Sequence, residues 1–314
     1  MTHLIINDRV ASLECQAQAL LIRMQDKPPL AIPLRRLDTL VLLHSVDIPS
    51  RLISTLQQLG ISLVYINTHT LSRSFTIAPP GSTLAIRKRM QLMLLNDRQQ
   101  QVDMVRFSLE VKFQRMLSVI EECYKSRKEQ QRPLFSAKTL VQQCRTGLSE
   151  AASLNELRGL EGKAQQGWFR AYQYLLPDSL GFIRRQRRPP RDPVNALLSL
   201  TYMRIYLLSW QVALSTGLEP SIGFYHESAP NRQSLACDLM EPLRPLAELF
   251  VMRIFNRQRL RSRDFYSCQQ GCFLKKEALT QFQSDFEDQC VVWQRLLWVY
   301  ARKIIQLTDE AEHR

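Results

Sequence analysis

The chain has 314 residues, 45% of them apolar, and its 42 Lys and Arg against 29 Asp and Glu give a formal charge of +13. That length holds one large domain or two ordinary ones, and that apolar share supplies a real core. No run is apolar enough to cross a bilayer, Asp8 and Arg9 interrupt any signal-peptide core, and so strong a positive field favours a polyanion, so a cytoplasmic protein with a nucleic-acid partner is expected.

The first 79 residues read as β-rich. SLECQAQALLI alternates and predicts a strand with Leu13, Cys15, Ala17, Ala19 and Leu21 on one face. LDTLVLL and ISLVYIN are short apolar runs bounded by turn residues, and SFTIAP follows them. Between the runs, SRLISTLQQLG predicts a helix with Ser50 as N-cap and Gly60 as its stop. APPGST, residues 78–83, is the natural boundary. Up to residue 79 the chain has seven Lys and Arg against five Asp and Glu, a net +2, which leaves +11 for the remainder. A polyanion site is therefore expected beyond the boundary.

From Leu84 the apolar period becomes helical. Residues 84–128 lack Pro and Gly and hold one long helix or two. Further helices are predicted near 136–176, 193–215, 243–258, 275–287 and 290–307. The expected organisation is a small β domain over 1–79 and a larger helical domain over 80–314. Seven scattered cysteines suit reduced thiols, and the close pair Cys268 and Cys272 has no companions to complete a zinc set.

Several residues carry candidate chemistry. Glu161 lies between Gly159 and Gly162 in LRGLEGKAQQGWF. Glycine weakens a helix by up to about 1 kcal/mol, so two beside an acid suggest close backbone packing; the alternative is a surface glutamate on a loose turn. His226, framed by Gly217, Pro220 and Gly223, reads as a metal ligand or proton carrier, or as a loop histidine bonded to Glu227. Asp238 and Glu241 on one helix would share a face, displaced by about 4.5 Å, and could bind a hard cation. Pro242 argues for a kink at Glu241 that would turn it away from Asp238.

Basic clusters complete the set. FIRRQRRPPRDP carries Arg184, Arg185, Arg187, Arg188 and Arg191, and RIFNRQRLRSRDF carries Arg253, Arg257, Arg259, Arg261 and Arg263. Their guanidinium forks match phosphate oxygens, and Trp168, Phe169, Tyr172 and Tyr202 are candidates to pack on sugar or base. Arg184, Arg185, Arg187, Arg188, Arg191, Tyr202, Arg244 and Arg257 form the candidate nucleic-acid-binding set. No GxxxxGK[ST] loop or GxGxxG turn occurs, which argues against a nucleotide-driven motor or a dinucleotide enzyme.

In order along the chain, LRGLEGKAQQGWF, RRPPRDPVNALLSLTY, GLEPSIGFYHE, SLACDLMEPLRP, FNRQRLRSRDF and GCFLKKEALTQF resemble blocks of the CRISPR-associated adaptation integrases, metal-dependent DNases that insert new spacers into CRISPR arrays. The resemblance implies an α+β protein with a small N-terminal β-sandwich and a larger all-α catalytic domain. It implies a Mg²⁺ or Mn²⁺ site built from Glu161, His226 and Asp238, with Glu241 matching a further family acid in the catalytic set. It also implies transesterification on double-stranded and branched DNA, by a homodimer bridged by a small ferredoxin-like partner in a heterohexamer-type assembly. Glu219 and Trp168 stand where Asp and Tyr are more usual in that family. The competing readings are a related transposon-encoded integrase, a non-catalytic DNA-binding scaffold and a branched-DNA nuclease.

Overall fold

The structure, a computed structural model, describes residues 3–6, 10–24, 27–67, 73–79, 84–227, 229–230 and 232–312. Strands β1 (His3–Ile6), β2 (Ser12–Gln16), β3 (Ala19–Met24), β4 (Lys27–Pro33), β5 (Thr39–Leu42), β6 (Ser62–Tyr65) and β7 (Phe75–Ile77) form two sheets, with helix α1 (Ser50–Gln58) between β5 and β6. One sheet has the order β1-β5-β6-β7, with β1, β5 and β6 parallel and β7 antiparallel at its edge. The parallel β5–β6 pair needs a crossover, and α1 supplies it. β5 is buried along its whole length, which is why it reads as an unbroken apolar run.

The other sheet is the meander β2-β3-β4. SLECQAQALLI, expected as one strand, folds back on itself as β2 and the start of β3. Ala17 and Gln18 take positive φ, 47° and 62°, forming a two-residue turn that pairs Leu13 with Ile22 and Cys15 with Leu20. The buried face therefore carries Leu13, Leu20 and Ile22, not Ala19 and Leu21. At α1, Pro49 takes the N-cap position and Ser50 is the first helical residue, while Gly60 (φ 74°) ends the segment as expected.

The remainder is mostly helical: α2 (Leu84–Asn96), α3 (Arg98–Ser126), α4 (Gln131–Thr146), α5 (Leu154–Tyr172), α6 (Pro193–Ser215), α7 (Ser234–Met240) and α8 (Arg244–Asn256), then the hairpin β8 (Phe265–Cys268) and β9 (Gly271–Leu274), and α9 (Lys276–Glu312). Asp97 breaks α2 from α3 by accepting from Gln99 N and Gln100 N at 3.0 Å each. The helix expected over 136–176 is two helices separated at Gly147, and the two expected over 275–287 and 290–307 are one. Residues 80–83 of the expected boundary, and His69 and His313, lie outside the described residues. A large apolar core joins α3 to α9, and a separate cluster fills the space between the sheets. Val41, Val64 and Ile66 on the outer face of the first sheet pack toward Leu214 of α6. Among the described residues no helix is long and apolar enough to cross a membrane, and the seven cysteines are free.

Candidate metal centre and nucleic-acid surface

The side chains singled out in the sequence meet where α3, α5, α7 and the loop before α7 come together. Glu161 projects from α5, whose start is capped by Ser153 Oγ. A Cβ at Gly159 or Gly162 would meet nothing within 4 Å, so no backbone packs on them; they leave the helix flank beside Glu161 open. The close approach expected there occurs at Gly167, where a Cβ would overlap Leu140 Cδ2.

The loop carrying His226 is built around Asp238. A Cβ at Gly223 would stand 2.7 Å from Asp238 Oδ2 and 2.8 Å from the Ser234 carbonyl carbon, so only glycine lets the chain pass so close. Three consecutive backbone N–H groups then point at one carboxylate: Phe224 N and Tyr225 N donate to Oδ2 at 2.7 and 3.0 Å, and His226 N donates to Oδ1 at 3.0 Å. His226 Nδ1 lies 2.6 Å from the same Oδ1. Asp238 is fully buried, and burial pushes its carboxyl above the ordinary range against the pull of His226 and these amides. A carboxylate offers about four lone-pair sites, and four donors already fill them. Asp238, expected as a metal ligand, is thus engaged in holding the imidazole and the loop backbone.

With Nδ1 held by Asp238, His226 presents Nε2, which lies 3.9 Å from Glu241 Oε1. Glu241 keeps helical dihedrals despite Pro242, in a single 3-10 turn between α7 and α8. The bend still separates the two acids: Asp238 faces the histidine loop, whereas Glu241 faces α3 and Arg244. Lys112 of α3, fully buried, places Nζ 2.5 Å from Glu161 Oε1 and 2.7 Å from Glu241 Oε2. Burial would lower the lysine pKa, but the two carboxylates outweigh it and raise it. Burial would raise Glu241, but Arg244 and Lys112 hold it well below the usual carboxylate range. Arg244 Nε stands 2.8 Å from Glu241 Oε1, close enough for an ion pair but not aligned as a hydrogen bond.

Among the described residues, no three His, Cys, Asp or Glu side chains already stand in a metal-holding arrangement. The donor chemistry nevertheless fits a divalent ion. Two carboxylates converge on one resident cation, the Lys112 ammonium, and an open imidazole nitrogen borders them. The set that fits is Glu161, His226 and Glu241.

Behind the cluster, Glu248 of α8 is buried and accepts from Trp168 Nε1 at 2.6 Å, Tyr202 OH at 2.6 Å and Gln165 Nε2 at 2.9 Å. Burial outweighs these donors and raises its carboxyl pKa. Arg185 and Arg244 both lie over the Tyr202 ring, with guanidinium carbons 5.4 and 5.1 Å from its centre. Arg185 itself binds Asn195 Oδ1, Ser199 Oγ and the Gln186 carbonyl. Tyr202, Arg185 and Arg244, expected to touch nucleic acid, are half-buried and make these contacts within the protein. Trp168, Phe169 and Tyr172 are core residues and offer no face to sugar or base. Arg184, Arg187, Arg188, Arg191 and Arg257 are exposed, and among the described residues none of them pairs with a carboxylate.

Lys112 and Glu248 escaped the sequence reading. Each has a recognisable signal, a charge set in an apolar stripe: Lys112 lies among Leu109, Phe113 and Met116, and Glu248 among Pro245, Leu249 and Met252.

The profile of the family described as CRISPR associated protein Cas1 matches residues 4–288. The CRISPR-associated endonuclease Cas1 1 of Thermodesulfovibrio yellowstonii is 40% identical over 164 residues, 50% of this chain and 51% of that protein. The chain thus spans about half the length of that curated relative, and 40% of a Cas1 endonuclease of Thermus thermophilus that is 42% identical over 132 residues, 42% of this chain. In fold it is similar to a casposase bound to its integration product, with a TM-score of 0.80 at 20% identity, covering 99% of this chain and 96% of that one. A partial Cas6-RT-Cas1–Cas2 complex gives a TM-score of 0.78 at 23% identity, covering 99% of this chain and 96% of that one. With nearly its whole length matched by one family profile, the chain belongs to the Cas1 family of CRISPR associated proteins.

Proposed function

We propose that this chain is a metal-dependent DNA endonuclease and integrase that inserts spacer DNA into a CRISPR array. The observation that carries the reading is the convergence of Glu161 and Glu241 on one buried cation, with His226 Nε2 turned toward them. Glu161, His226 and Glu241 would hold one Mg²⁺ or Mn²⁺, which when bound supplies Lewis-acid charge to a phosphate oxygen. The chain's own residues do the rest. Asp238 locks the imidazole so that Nε2 keeps its lone pair facing the cluster. Gly159 and Gly162 leave room beside Glu161 for a DNA backbone. Exposed Arg184, Arg187, Arg188, Arg191 and Arg257 hold phosphates without reading sequence. In the reaction the incoming 3′-oxygen bonds to a repeat-edge phosphorus as the bond to the resident 3′-oxygen breaks; one proton leaves the attacking hydroxyl and one reaches the departing oxygen. The aligned geometry, not a covalent protein intermediate, lowers the barrier.

The same reading makes the protein cytoplasmic, divides it into a β domain over 1–79 and a catalytic domain over 80–314, and assigns a homodimer bridged by a small ferredoxin-like partner. The likeness to a chain of a Cas1–Cas2 complex supports the last point. The test is strand transfer onto a supercoiled plasmid carrying a leader and repeat, with labelled duplex bearing free 3′-hydroxyls, the small partner, and Mg²⁺ or Mn²⁺. Joined product from the wild type, lost in His226→Ala and Glu161→Ala at unchanged DNA binding, is the expected result. Equal joining by both variants would sink the assignment.

A further inference from the structure

We propose that Lys112 is the fixed second cation of this centre, a positioning residue that holds Glu161 and Glu241 and limits the cluster to a single divalent ion. The inference rests on the metal site proposed above and names a feature of it. Two-metal phosphoryl-transfer sites bridge a pair of ions about 3.5–4 Å apart with shared carboxylates. Here the bridging position between two carboxylates belongs to an ammonium, 2.5 Å from Glu161 Oε1 and 2.7 Å from Glu241 Oε2.

Two further observations give this arrangement its function. Lys112 has no solvent exposure, so its charge cannot swing out into water as a surface lysine's does. The other oxygen of Glu241 faces a second fixed cation, Arg244, whose Nε is 2.8 Å away. The two carboxylates are therefore formally balanced by Lys112 and Arg244 before any metal arrives. One divalent ion is drawn by the remaining carboxylate lone pairs and by His226 Nε2. A second would meet two permanent positive charges at close range, and repulsion from a buried charge such as Lys112 is weakly screened. An ammonium also holds the two acids at a set spacing when the metal is absent, which bare carboxylates packed together would not keep.

A buried lysine that only stabilised the fold would change melting and leave metal stoichiometry untouched. The experiment is therefore a Mn²⁺ titration of the full chain, with free Mn²⁺ followed by electron paramagnetic resonance and His226→Ala as the background for ions bound elsewhere. The wild type is expected to bind one ion above that background. Lys112→Met, which keeps the length and removes the charge, is expected to bind two, or one at least about tenfold more tightly. Lys112→Arg, which keeps the charge, is expected to match the wild type. Two ions in the wild type, or a folded Lys112→Met with one ion at wild-type affinity, overturns the proposal. Should Lys112→Met not fold, the wild-type count decides: a second ion overturns the proposal, and a single ion up to saturating Mn²⁺ supports it. No binding above background by the wild type overturns the metal reading itself, whereas an unchanged Lys112→Met beside a metal-binding wild type removes only the role of Lys112.

Discussion

His226 Nδ1 sits 2.6 Å from Asp238 Oδ1, and that contact decides which imidazole nitrogen faces the carboxylates. Asp238 also accepts the backbone N–H groups of residues 224, 225 and 226. In Asp238→Asn the new amide would turn a donor toward this ring of donors and free the imidazole to rotate. The expected result is a drop of about 10–100-fold in Mn²⁺ affinity and strand transfer, the usual effect of removing a group that orients a metal-binding histidine. A full-strength Asp238→Asn enzyme would show that the contact is incidental.

Glu241 is the sharper test of which acid binds metal. Glu241→Gln keeps the shape, retains a hydrogen-bonding oxygen for Lys112, and removes the charge. Mn²⁺ binding by this variant is expected to weaken at least about tenfold, with strand transfer falling in step. Wild-type affinity in Glu241→Gln, with a lost site in Asp238→Asn, would return the ligand role to Asp238.

The arrangement of these two acids shows where sequence reading stops. Four side chains named from the sequence, Glu161, His226, Asp238 and Glu241, do gather in one cluster. The donors gathered on Asp238 depend on how tightly the backbone passes over it, and that follows from the packing of Gly223 against Ser234, a tertiary contact with no local signature. The β-then-helix order was legible because the apolar period changes near the boundary. The β2–β3 turn was not, because Ala17 and Gln18 take positive φ without the Asn or Gly that usually marks it. The helices expected over 275–287 and 290–307 are one, because residues 276–312 contain no Pro or Gly and the helix runs through.

Glu248 makes a prediction about pH. Burial raises its folded-state pKa above the ordinary 4.5, against the donors Tyr202, Trp168 and Gln165 and the charge of Lys112. A carboxyl with a raised folded pKa contributes most stability below its unfolded pKa and loses it as pH rises through the folded value. Glu248→Gln removes that loss. Its melting temperature relative to wild type is therefore expected to climb as pH rises above 4.5. Glu241 has the opposite sign, its stabilisation disappearing only as pH falls below 4.5 toward about 2, so it does not confound that range. A difference that stays flat or shrinks with rising pH would refute the burial argument.

The arginines divide into two classes with different signatures. Arg187, Arg188 and Arg191 are exposed beside the hairpin, whose Cys272 N–H donates to the Pro190 carbonyl at 2.8 Å. Replacing each by Ala should weaken DNA binding on all sequences alike and flatten the dependence of log K on log salt by about 0.9 for each phosphate left unneutralised. Arg185→Ala should instead lower the melting temperature, because its guanidinium ties Asn195 and Ser199 to the loop. A salt slope unchanged in the triple variant would remove this surface from the DNA path.

The glycines near the site yield opposite outcomes for the same substitution. Gly159 and Gly162 lie inside α5 with open space where a Cβ would go, so alanine at either relieves the helix penalty of glycine. Each is expected to stabilise the protein by up to about 1 kcal/mol. Strand transfer should nonetheless fall if DNA passes beside Glu161, because the added methyl groups narrow that flank; stability and activity would then move in opposite directions. Gly223→Ala forces a methyl group against Asp238 and the Ser234 backbone, and the loop must lift to admit it. Lifting breaks the three amide contacts that hold the carboxylate, so both melting temperature and Mn²⁺ affinity are expected to drop together. Melting curves and Mn²⁺ titrations on the three variants separate the cases: a Gly223→Ala protein with wild-type metal affinity would mean the loop does not set the imidazole, and unchanged activity in Gly159→Ala and Gly162→Ala would mean the DNA enters from elsewhere.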